Sequence, residues 1–114
     1  MTTTLKRNAK PSRTNAYIDL IENMTNVTAD EVTVTKQNDD NGRTRYEVAV
    51  AGQTIGWVSG KVGSNYRAHG PRLQVQLRDS VKWSTQTITD SAPVRTSSRT
   101  RIEAIFSLTN RFYN

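Results

Sequence analysis

The chain has no cysteine and a single histidine, His69, among its 114 residues. These scarcities exclude disulfides, thiolate nucleophiles and sulfur-ligated zinc, and they leave a Ser-His-Asp arrangement only one imidazole to be built around. A phosphate loop of the Walker type is missing too: Gly60 to Gly63 lacks the Lys and Ser or Thr pairing that cradles phosphates, so these glycines read as turn formers. Apolar runs reach only a few residues, against the roughly 20 needed to cross a bilayer, and Met1 to Pro11 carries no apolar signal-peptide core. The expectation is a non-enzymatic cytoplasmic protein with no membrane partner, no cofactor, no metal site and no catalytic residue, His69 being solvated or structural. Asp39 and Asp40, beside Asn38 and Asn41, crudely resemble a calcium loop, which asks for alternating oxygen ligands and a closing glutamate for which Glu47 is the only candidate nearby, and they read as a solvated turn.

Against these absences stand two Trp, four Tyr and two Phe, enough bulky material for a core and more than a disordered chain carries. The length suits one domain. Lys and Arg total 16 against 10 Asp and Glu, a net charge of +6, which attracts polyanions such as nucleic acid or an acidic protein surface. The charge is segregated. Lys6, Arg7, Lys10 and Arg13 stand without an acid in residues 1–13, which read as a flexible basic arm ahead of a single domain over 14–114. From Thr14 to Gly42 six acids face one lysine, and from Arg43 to Arg78 the balance is basic again.

Periodicity predicts an α+β fold: an antiparallel β-meander of about four to six strands packed against a C-terminal amphipathic helix, with a short N-terminal helix. Tyr17, Ile18, Ile21 and Met24 recur at helical spacing behind Thr14 or Asn15 as cap. Glu31 to Gln37 alternates at period two as a strand. The clearest hairpin is Arg43 to Ser59 about an Ala51-Gly52 turn, which sets Val48 opposite Ile55 and Tyr46 opposite Trp57. A second turn at Gly60 to Gly63 places Tyr66 opposite Trp57 and Ala68 opposite Ile55, so Trp57 is expected in the core. Leu73, Val75 and Leu77 mark a further strand, Val81 to Ile88 another with Trp83 inward, and a short strand around Val94 is compatible with the pattern. Thr100 and Glu103 stand in capping-box relation before a helix carrying Ile102, Ile105, Phe106, Thr109 and Phe112.

With those apolar residues inward, the pleat turns Arg43, Arg45 and Glu47, then Gly56 and Val58, then Asn65, Arg67 and His69 outward together. Arginine forks and asparagine amides match guanine and adenine edges, a small sheet enters a major groove, and a basic arm (Lys6, Arg7, Lys10, Arg13) reaches phosphates. Arginines on an exposed sheet face also simply keep a small domain soluble, and both readings stand at this point.

A Tyr- and Trp-bearing meander over Arg43 to His69, followed by a helix opening Thr100-Arg101-Ile102-Glu103-Ala104, resembles the arm-binding domains of tyrosine integrases and the related AP2 domains. The resemblance implies DNA reading through the sheet. It departs from that family in the roughly thirty residues between third strand and helix and in the acidic helical segment before the sheet. The sheet closed by a Thr-Arg-x-Glu-Ala helix also resembles small accessory proteins of actinobacterial phages, which implies a viral protein in the host cytoplasm. The functions that follow are a nucleic-acid-binding accessory protein or, alternatively, a phage-type protein that binds an acidic host protein and modulates or inhibits it. Charge asymmetry also permits a homo-oligomer.

Overall fold

The computed structural model describes residues 2–38, 44–61 and 82–114. Among them six strands form one antiparallel sheet in which each neighbours the next in chain order: β1 Thr2–Thr4, β2 Val32–Asn38, β3 Thr44–Val50, β4 Gln53–Lys61, β5 Lys82–Thr87 and β6 Val94–Arg95. Two helices, α1 Arg13–Thr25 and α2 Arg101–Tyr113, pack on each other, and α2 lies on β4 and β5. The α+β architecture with a C-terminal helix is as expected. No helix of the described residues is long and apolar enough to cross a membrane.

The local signals that make the helices are legible. Ser12, in extended conformation, accepts from the Asn15 N–H at 3.2 Å and opens α1, two or three residues earlier than the expected cap. Asn26 ends it in the left-handed region at φ 59°, where asparagine is tolerated. Ile18, Ile21 and Thr25 face inward, whereas Met24 is 50 % exposed: the helical repeat admits residue 24 or 25 to the inner stripe, and packing selects the smaller threonine. Thr100 caps α2 by accepting from the Glu103 N–H at 3.3 Å, and the Glu103 carboxylate returns to the Arg99 N–H at 2.9 Å. The buried stripe of α2 is Ala104, Ile105, Leu108 and Thr109.

The β3–β4 hairpin turns at Ala51 and Gly52, both at positive φ (52° and 83°), as a two-residue turn matching the twist of its strands requires. Val50 then faces Gln53 and Ala49 faces Thr54. The next pairs slip by one: Val48 faces Gly56, Glu47 faces Trp57 and Tyr46 faces Val58, so Ile55 is the extra residue of a β-bulge. The bulge overturns the expected inner set. Ile55 and Val58 are both buried, though an unbroken pleat would send them to opposite faces.

Gly56 shows why the slip is favoured. A Cβ there would meet the Gln86 carbonyl oxygen at 2.2 Å and Leu108 Cδ1 at 2.9 Å, so the bare backbone is the seat on which α2 rests. Gly56 and Val58, expected outward, therefore face the helices, and Trp57 faces away from them. Val32, Val34, Val48 and Val50 complete the inner layer with Ile21 and Val27, and Tyr46, Trp83 and Phe106 close its margins.

Two further expectations are corrected. Within residues 1–13, read as a flexible arm, residues 2–8 make specific contacts: Thr2, Thr3 and Thr4 pair with Thr35, Val34 and Thr33, Leu5 N–H donates to the Val32 carbonyl at 2.9 Å, and Asn8 and Asn15 exchange hydrogen bonds across the approach to α1. Threonine-rich residues extend readily, and an open edge of β2 offered them unpaired groups. The place beside β4 expected for Tyr66 and Ala68 is taken by β5, with Trp57 facing Gln86 and Val58 facing Thr85. The expected 64–69 and Leu73–Leu77 strands fall outside the described residues.

Candidate functional site

Both helices and the apolar core occupy one side of the sheet, and among the described residues no element lies over the other. This open face is built of short polar side chains: Thr33, Thr35 and Gln37 from β2, Thr54 and Ser59 from β4, Ser84 and Gln86 from β5. Trp57 stands near its centre, between Glu47 of β3 and Gln86 of β5. The Arg45 guanidinium lies over the indole at 5.3 Å from the ring centroid, a cation–π contact across neighbouring strands. Lys82 and Arg95, both exposed, belong to the same face by register.

Glu47 is the face's acid among the described residues, and it is occupied. Its carboxylate accepts from Gln37 Nε2 at 2.7 Å and from Thr54 Oγ1 at 2.6 Å, two bonds that hold it flat between strands. Arg45 Nε is buried with no acceptor among the described residues, and so is the Gln37 Oε1 atom without a donor. The face thus combines an aromatic ring, a guanidinium and hydroxyl and amide side chains on an antiparallel sheet.

No family model matches this chain. No curated protein and no solved structure matches it either.

Of the residues expected at a site, Arg45 is on the open face. Arg43, Asn65, Arg67 and His69 lie outside the described residues. Lys6 and Lys10 are exposed, and Arg13 is exposed as the first residue of α1. Arg7 is diverted from any ligand: it bridges Asp19 at 2.6 Å and also pairs with Glu22, which raises its pKa further above the usual arginine value. Glu22 in turn is held below the ordinary glutamate range, first by the Ala29 N–H donating at 2.9 Å and second by Arg7. The arm's positive charge is in part neutralised by the acidic helix behind it.

Sequence reasoning missed Trp57, half-buried, as a residue of the outer face. The signal was present: Ile55 and Val58 are both bulky aliphatics at odd spacing around a glycine, which a strand with one buried face reconciles only by a bulge. The residue between Gly56 and Val58 then has to face outward.

Proposed function

We propose that the chain is a nucleic-acid-binding protein whose interface is the open face of the sheet, with Trp57 and Arg45 at its centre. The observation that carries the reading is the outward indole of Trp57 under the Arg45 guanidinium, amid hydroxyl and amide side chains. An aromatic on a flat antiparallel sheet stacks with an unpaired base, arginine adds cation–π and phosphate contacts, and Thr, Ser and Gln hydrogen-bond base edges or ribose. Single-stranded nucleic acid therefore suits the face better than a duplex groove, because stacking needs bases free of their partners. Thr2 and Thr4 of β1 lengthen the face, so the N-terminal segment contributes as part of the sheet and not as a loose clamp.

The test is fluorescence anisotropy of labelled single-stranded and duplex oligonucleotides at low and near-physiological salt. Trp57→Ala should weaken single-strand binding by about 1–3 kcal/mol, roughly five- to 150-fold. Arg45→Gln should weaken it and also flatten the salt dependence. Binding indifferent to both substitutions sinks the reading and turns the search to an acidic protein partner.

A further inference from the structure

The helices leave one corner of the inner face uncovered. There, between β1, the β2–β3 pair and the start of α2, lies a half-open cleft of about 690 Å³, within the range of small-ligand sites. Its floor is aliphatic, made by Leu5, Val34, Ile102 and Ile105, and Tyr46 closes one wall. Lys6, Lys36 and Arg101 stand around it, exposed, and among the described residues no carboxylate lines it. Among the described residues none of the three cations is in an ion pair. Three uncompensated positive charges over an apolar floor are complementary to a ligand with one anionic end and one apolar end.

The form of the apolar end follows from Tyr46. Arg101 lies over its ring at 4.8 Å, and Trp83 stands 6.0 Å away between centroids, so the phenol is packed by two neighbours, whereas the Trp57 ring has Arg45 alone among the described residues. The remaining floor is branched aliphatic. We propose that this cleft binds an anionic ligand with an aliphatic chain, a fatty carboxylate or an alkyl phosphate, its chain on Leu5, Val34, Ile102 and Ile105 and its head between Lys36 and Arg101. The site is on the side of the sheet opposite Trp57 and does not rest on the nucleic-acid reading.

Isothermal titration calorimetry of the full chain with decanoate, decyl phosphate, decanol and butyrate tests it. Both long-chain anions should bind, and their relative affinities identify the preferred head group. Decanol lacks the charge and butyrate the chain, so each should bind at least about tenfold more weakly. Lys36→Gln/Arg101→Gln, at exposed positions that leave the core intact, should cost the anions about tenfold or more and decanol nothing, with an unchanged thermal melt. Equal binding of decanol, equal binding of butyrate, indifference of the double variant, or no binding of either long-chain anion up to about 1 mM would each overturn the proposal.

Discussion

The two faces of the sheet obey different rules, and the bulge at Ile55 is where they part. The inner face is governed by close packing: Gly56 is bare so that Leu108 can rest on the strand, and Ile55 and Val58 fill the space on either side. The open face is governed by hydrogen bonding and charge: Glu47 is satisfied by Gln37 and Thr54, and Arg45 is placed by Trp57. A core demands a fixed volume at each position, so it dictates the register. The open face takes the residues that this register leaves over.

The strongest way to break the comparison is to fill the seat of α2. Gly56→Val puts a side chain where 2.2 Å separates a Cβ from a carbonyl oxygen, and we expect a loss of about 3 kcal/mol or more, up to failure to fold, measured by urea unfolding. A near-normal midpoint would show that α2 does not rest on β4. Next comes a contrast that separates the bulged register from the unbroken one. Ile55→Ala should cost about 2–4 kcal/mol, whereas Trp57→Ala should cost about 1 kcal/mol or less and lose nucleic-acid binding instead. An unbroken pleat demands that the tryptophan be the costlier of the two.

A smaller effect sharpens the account of the hairpin. Ala51 holds φ 52°, a region that costs a side chain with a Cβ but that asparagine visits readily. Ala51→Asn, which makes the favoured Asn-Gly turn, should raise stability by about 0.5–1 kcal/mol in chemical unfolding. The smallest effect is expected at the surface clasp of the N-terminal segment. Because the pKa of Glu22 is lowered on folding, its contribution is present above the unfolded value and drains away as pH falls through the folded one. Acid titration of the melting temperature should therefore steepen below the ordinary glutamate range. Glu22→Gln should lower the neutral-pH melt slightly and blunt that slope, so that variant and parent converge in acid, and an unchanged slope would remove Glu22 from the clasp.

Much of the scaffold was legible because its signals are local. Thr100 and Glu103 announced α2, Ala51-Gly52 announced the hairpin, and the alternation of Val32 and Val34 announced β2. Less of the candidate site was legible. Arg45 was assigned outward correctly, since β3 keeps its phase throughout, but Trp57 was assigned inward because a two-residue turn was extended as an unbroken ladder. The basic segment 1–13 read as loose because it has almost no apolar residue to anchor it. Its anchors are a β-edge of threonines and an ion pair of Arg7 with Asp19 and Glu22, all supplied by residues distant in sequence.

The sequence by itself determined the two helices, the β2 strand and the β3–β4 hairpin, because capping, turn geometry and period-two alternation act within a few residues. Only the tertiary structure decided which face Trp57 occupies, that β5 lies beside β4, and that Lys6, Lys36 and Arg101 gather around one apolar cleft. These outcomes turn on the space between a helix and a sheet. The cost of a Cβ at Gly56 comes from Leu108 and Gln86, residues some thirty to fifty positions away, and no reading confined to the strand itself contains it.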